Sequence, residues 1–321
     1  MSVLAIVHPT NLLGKELRET LDRGVTGPSW QEVRLLSSLE HEIGTLTETG
    51  GTATLVQRYE PGSLDGVALA FFCGPMAANR PLLAELPLEI TAVVLSPDAT
   101  LADGHPVVSG INSRPSGAGN GGSSVLLSPH PAVVLLAHVL YPLAALEPRE
   151  AVATVVLPVS LYDEAGLEEL FEQTRQIVAM TARRRSQLFG AQLAFNLLPA
   201  AHAEQVAASV ADSLAAVLPA PVPLSLQLVQ GGIFHCLTLS LYVRCATAPS
   251  VQAVRKALTA SPFVEASEDP RHLGPIDAAA SDKVLLGAAR KDENGIWLWA
   301  AMDNLTRGGA INALEIAAAV H

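Results

Sequence analysis

Three features of the sequence predict an α/β fold built on a parallel sheet. Short runs of branched apolar residues recur without polar alternation: "SVLAIV" (2–7), "GVALAFFCG" (66–74) and "ITAVVLSP" (90–97). Strands buried on both faces read this way. Helical patterns lie between them, and strands alternating with helices imply parallel pairing. Hydrophobic residues make up 49% of the 321 and charged ones 16%, which suffices for a substantial core in one large or two medium domains.

The elements follow in order. After the first strand comes a turn, "HPTN", and a helix from Leu12 to about Leu21 with Leu13, Leu17 and Leu21 on one face. "EVRLLSS" (32–38) is a strand, then the runs at 66–74 and 90–97 with helical "NRPLLAEL" (79–86) between. Residues 109–124, rich in Gly, Ser, Asn and Pro, are a loop. A strand "VLL" (125–127) and a helix Ala132–Leu140 follow, then a strand "ATVVLPVS" (153–160). Asp163–Arg185 reads as a long helix with a stripe of Leu167, Leu170, Phe171, Thr174, Ile177, Val178 and Thr181. Its acids at the start and arginines at the end match the helix dipole. "LSLQLV" (224–229) and "CLTLSLYVRC" (236–245) are strands, the second alternating strictly. A helix "SVQAVRKALTAS" (250–261), a strand "IWLWAAM" (296–302) and a helix from about Gly309 to Val320 close the chain.

Composition excludes several classes of function. A net charge of −11, with Arg183–Arg185 as the basic run, argues against nucleic acid. Cys73, Cys236 and Cys245 are odd in number and far apart, as in a reduced cytoplasmic protein. "MSVLAIVHPT" has no basic leader region. The most apolar stretch, Val125–Leu146, carries three prolines and two histidines and is a poor membrane span. The histidines show no metal-ligand spacing, so no metal is expected. Asp163, Glu164, Glu168 and Glu169 form a solvated helix start rather than an acid–base cluster.

"GAGNGG" (117–122) fits the dinucleotide-binding pattern G-x-G-x-x-G by letter. The working motif lies between a strand and a helix whose N-terminus receives pyrophosphate. Here a loop with Pro115 precedes it and a strand follows, so it reads as a surface loop. The proper position is the first strand–helix turn, "HPTNLLG" (8–14), which keeps Gly14 alone. His8 and Asn11 stand where backbone must approach phosphate, and Pro9 offers no N–H.

The stretches "LAIVHPTNLLGKELRETL", "HPVVSGIN", "LSPHPAVVLLAHVLYPL", "FGAQLAFNLLP", "VQGGIFHCLTLSL" and "WAAMDNLTRGGAINALEIA" together resemble the aspartate-semialdehyde dehydrogenase family over almost the whole chain. The likeness is closest to a branch that lacks the active-site cysteine. It implies a Rossmann-like dinucleotide-binding-type domain at 1–128 and 303–321, and an α+β domain for catalysis and dimer contact at 129–302. It also implies a nucleophilic cysteine, a glutamine, an arginine and a histidine. At those four positions the chain has Pro131, Ser160, Leu226 and Ile233.

No catalytic residue is therefore expected. Thr10, Gly14, Asp303 and Asn304 persist, of which Thr10, Gly14 and Asn304 are the candidates for cofactor contact. No cofactor is expected, or NADP if any. His235 and Cys236 are adjacent, which in a strand sends their side chains to opposite faces; Cys236 reads as a core thiol and Cys73 as a half-buried one. The sequence supports a non-enzymatic homodimer joined through the second domain, a scaffold or a small-molecule binder with an old substrate cleft made apolar by Leu226 and Ile233. The alternative is a diverged NAD(P)-dependent semialdehyde dehydrogenase of amino-acid biosynthesis.

Overall fold

The computed structural model describes residues 3–24, 30–113, 124–180 and 186–320. The chain divides into two compact units, Met1–Pro131 with Gly308–His321, and Ala132–Arg307.

In the first unit the opening apolar run forms β1 (Val3–Val7), buried throughout. Then come α1 (Leu12–Asp22), β2 (Glu32–Ser37), a hairpin of β3 (Leu46–Thr49) and β4 (Thr52–Leu55), and the short β5 (Gln57–Arg58). β6 (Val67–Phe72), α2 (Met76–Ala84), β7 (Thr91–Val94), β8 (His105–Pro106) and β9 (Ser124–Leu127) complete the run. The main sheet has the order β5-β2-β1-β6-β7-β9-β8, every pairing parallel. The order reverses at β1, so the crevice at its carboxyl end is where a fold of this type takes a ligand. The closing helix, Asn312–Val320, is fastened here by Asn312: its Nδ2 donates to Val107 O (3.1 Å) and Ser128 Oγ (2.9 Å), and its Oδ1 accepts from Ser109 N (3.0 Å).

α3 (Pro131–Leu140) leads into the second unit, and every residue of it is buried. A helix apolar on all sides belongs inside a core. Among the described residues no helix is long and apolar enough to cross a membrane. β10 (Pro148–Leu157), α4 (Asp163–Val178), β11 (Leu197–Pro199), α5 (Ala203–Val217), β12 (Leu224–Gly231) and β13 (Leu237–Cys245) follow. Then come α6 (Val251–Thr259), β14 (Val264–Ala266), the single turn α7 (Pro275–Ala278), β15 (Val284–Lys291) and β16 (Gly295–Met302); the closing helix, α8 (Asn312–Val320), belongs to the first unit. The sheet order is β11-β12-β10-β13-β16-β15-β14, with parallel and antiparallel pairs mixed. The architecture is thus α/β, a Rossmann-like parallel sheet and an α+β unit.

Several expectations need correction. The long helix stops at Val178, and Met180 takes a left-handed conformation (φ 52°). Its buried positions are Gly166, Leu170 and Gln176, so Phe171 (63% exposed) and Val178 (72%) lie off the packed stripe. Thr181 and Arg183–Arg185 fall outside the described residues, as does "GAGNGG". The strand that follows that motif is present as β9. β10 ends at Leu157 because Pro158 cannot continue the ladder, and Val159–Tyr162 is a 3₁₀ turn. β13 starts at Leu237, since Cys236 has φ 73°. The last helix is preceded by a π-helical turn, Thr306–Ile311. Cys73 is fully buried rather than half-buried.

One buried group on α3 makes stability depend on pH. The His138 ring stacks on Phe263, centroids 4.7 Å apart, and the Arg307 guanidinium lies 5.3 Å from the same ring. Burial, with the charge of Arg307, holds His138 down to about 3. A histidine with a lowered folded pKa binds its proton more readily when unfolded. The stability is therefore complete above the unfolded value near 6.5 and is lost as pH falls toward about 3. Denaturant unfolding from about pH 6 to about pH 4 is expected to show a steeper loss in wild type than in His138→Leu, by about 1.4 kcal/mol per pH unit. Equal slopes would remove His138 from the account.

Candidate functional site

The turn after β1 is built from side chains. His8 has a left-handed backbone (φ 56°), an uncommon state for a residue with a β-carbon. Its N–H donates to Leu36 O at 2.8 Å, continuing the β1–β2 ladder. Its imidazole is wholly buried and lies against Gly74 after β6; a β-carbon on Gly74 would sit 2.6 Å from the ring. Nδ1 is 3.0 Å from Ser37 Oγ and 3.5 Å from Glu42 Oε2, and Nε2 is 3.4 Å from Ser38 Oγ. The ring thus spans the carboxyl ends of β2 and β6 across the head of β1.

Thr10 Oγ1 donates to Glu42 Oε1 at 2.6 Å. Glu42 is 3% exposed. Burial pushes its carboxyl up, but the polar groups of His8, Ser37 and Thr10 beside it outweigh that and hold it below the usual range. Asn11 is the N-cap of α1: Oδ1 accepts from Gly14 N at 2.7 Å, and Nδ2 donates to Cys73 O. Gly14 is required by packing, because a β-carbon there would meet the Pro9 backbone at 2.6 Å. That is the helix–strand packing role of a glycine, distinct from approach to phosphate. Arg18, also buried, reaches back from α1 to Pro9 O at 3.3 Å.

Asn304 lies in the second unit, 1% exposed. Its Oδ1 accepts from Cys236 N at 2.9 Å and its Nδ2 donates to Ser160 Oγ at 3.0 Å. Asp303 accepts from Leu305 N (2.8 Å), Thr306 N (3.0 Å) and Ala280 N (2.8 Å). The chain near Ser160 is laced to that of Ile233 and Phe234, with Val159 N donating to Ile233 O (2.8 Å) and Ser160 N to Phe234 O (3.1 Å). Ser160, Ile233, Cys236 and Asn304 therefore come together. Leu226 stands apart on β12, paired with Ala153, and Pro131 opens α3.

The thiols are poor nucleophiles. Burial raises Cys73, and the nearby Glu42 carboxylate raises it further. Burial and then Asp303 raise Cys236. The left-handed bend at Cys236 removes the flat-strand geometry assumed for His235 and Cys236. Burial lowers His130 to about 4. Glu169 is not a lone surface acid, since it accepts from Leu188 N and Gln173 Nε2, each at 3.0 Å. Among the described residues no group of three or more His, Cys, Asp or Glu is placed to hold a metal.

Sequence reasoning missed Glu42 and Ser37. The signal available was an acid shortly after the second strand, where dinucleotide folds often place a ribose contact. It also read Asn11 only as an obstruction and not as a cap.

A second feature is the open face of the sheet in the second unit. Ala151, Ala153 and Val155 of β10, and Leu237, Leu239, Leu241 and Val243 of β13, are buried. The opposite face carries Val152 (40% exposed) and half-buried Thr154, Ser240, Tyr242 and Trp297. Register aligns Val152, Tyr242 and Trp297 in one row. The Tyr242 and Trp297 rings are 5.1 Å apart. Charges stand at the margin, with Glu150 bridging Arg244 at 2.8 Å.

Comparison with known proteins matches residues 140–307 to the semialdehyde dehydrogenase dimerisation domain. A USG-1 protein homolog from Azotobacter vinelandii is 33% identical over 59% of this chain and 60% of its own length. Another, from Pseudomonas aeruginosa, is 28% identical over 97% of this chain and 95% of its own. The solved structure of a probable aspartate-semialdehyde dehydrogenase from Pseudomonas aeruginosa superposes with a TM-score of 0.88 at 25% identity, covering 98% of this chain and 97% of that one. The chain belongs to the aspartate-semialdehyde dehydrogenase family.

Proposed function

We propose that this protein is a non-catalytic member of its family, a cytoplasmic homodimer that serves as a scaffold or small-molecule binder. The observation that carries the reading is Pro131, the first residue of α3, at the position where the family resemblance puts the nucleophilic cysteine. A proline has no nucleophile to form an acyl-enzyme. The buried, raised thiols of Cys73 and Cys236 offer no ready replacement.

The residues of the turn do not fit NADP. A phosphate needs free amides and close backbone approach. Here the Asn11 side chain takes Gly14 N, the His8 ring covers Gly74, and a carboxylate lies beside Thr10. Asn304 is held by Ser160 and Cys236 within the second unit. The second reading, a diverged NAD(P)-dependent semialdehyde dehydrogenase of amino-acid biosynthesis, draws on Thr10 and Gly14, which stand in the first strand–helix turn. If NADP binds at all, those two residues are its nearest contacts in the turn.

The open face of the second unit supports a two-fold contact. Its centre is uncharged and rich in aromatic groups, with charges at the rim, as buried interfaces are. A self-complementary patch suits a dimer.

Assayed for phosphate-dependent oxidation of aspartate semialdehyde with NAD or NADP, the purified protein is expected to give no rate above background. A clear rate that survives Cys73→Ser and Cys236→Ser would sink the non-catalytic reading, and loss in Cys73→Ser alone would identify a relocated nucleophile.

Light scattering at low micromolar concentration is expected to show a dimer for wild type and a folded monomer for Ser240→Lys, since the new charge meets its own copy near a two-fold axis. A wild-type monomer, or a variant that stays a folded dimer, would place the interface elsewhere.

A further inference from the structure

We infer that Glu42 is an internal anion that closes the β1–α1 turn to phosphate-bearing ligands, so that the crevice is shut by charge as well as by shape. The inference rests on the reading that the turn takes no dinucleotide, and it names the residue responsible.

A carboxylate removed from water is costly unless it is paired and hydrogen-bonded. Glu42 is 3% exposed, yet its Oε2 lacks a hydrogen-bond partner among the described residues and faces His8 Nδ1 at 3.5 Å. Its Oε1 takes the Thr10 hydroxyl at 2.6 Å. Thr10 immediately precedes the N-cap of α1, an eleven-residue helix whose positive end favours anions. The Thr10 hydroxyl, a donor that an incoming phosphate would use, is thus turned toward a carboxylate that the chain supplies itself, while Gly14 N–H is taken by the Asn11 side chain. A phosphate entering here meets a like charge at short range, in surroundings too dry for salt to screen it.

His8 completes the closure sterically. Its left-handed backbone is a conformation glycine adopts freely, so His8→Gly removes the ring without strain. Glu42→Gln removes the charge while keeping an acceptor for Thr10 and the same volume.

The experiment is titration calorimetry of wild type, His8→Gly, Glu42→Gln and the double variant, each with NADP and with inorganic pyrophosphate. Thermal unfolding checks that each is folded. Wild type and His8→Gly are expected to bind neither ligand below about 1 mM. Glu42→Gln is expected to bind pyrophosphate, and the double variant to bind NADP as well, at least about tenfold tighter than wild type.

Should the double variant fail to fold, Glu42→Gln with pyrophosphate decides the matter. Folded Glu42→Gln proteins that bind neither ligand would overturn the inference while leaving the non-binding reading intact. Equal binding by His8→Gly with Glu42 in place would also overturn it. Binding of NADP by wild type would overturn the underlying reading.

Discussion

The contact between the His8 imidazole and the backbone at Gly74 governs the first unit. It occupies the one place on a parallel sheet where strand order reverses and a crevice opens. Once that ring is buried, its nitrogens need partners, and Ser37, Ser38 and Glu42 gather around it. Glu42 in turn takes the hydroxyl of Thr10. Asn11 is then free to act as a helix cap, and Gly14 to let α1 pack against Pro9. The turn keeps its fold through interactions that leave little for a ligand to replace.

The second unit shows the same separation of fold from chemistry. Asp303 caps the start of the closing segment through two backbone amides and ties it to Ala280. Asn304 bridges Ser160 and Cys236. These contacts stabilise the chain whether or not a reaction takes place, so such residues can outlast the loss of a nucleophile. Retention of Asn304 is thus a weak guide to cofactor contact.

Much of the fold was legible because burial leaves clear patterns. Uninterrupted apolar runs marked β1, β6 and β7, and strict alternation marked β13, whose leucines are all buried. α5 escaped because alanine dominates it and its packed positions include Ser213, so no stripe stands out. The β3–β4 hairpin had a signal that went unread: Gly50 and Gly51, both at positive φ, form a two-residue hairpin turn. In α4, Phe171 and Val178 look like core residues in sequence but are exposed, because the helix packs through Gly166, Leu170 and Gln176 instead. A turn built from side chains rather than glycines was visible in "HPTN". For Glu42 the one signal was its place shortly after the second strand, because a glutamate in a polar loop gives no sign of being buried until the strands on either side are placed.

The central claim is that the chain's own side chains fill the dinucleotide crevice. Hydrogen–deuterium exchange over residues 3–24, with and without NADP at about 1 mM, the upper end of ordinary enzyme affinity, tests it most directly. The account expects identical exchange at the turn and the first helical amides in both conditions. Slowed exchange at residues 8–14 on adding NADP would mean that the crevice opens to nucleotide, and would contradict it.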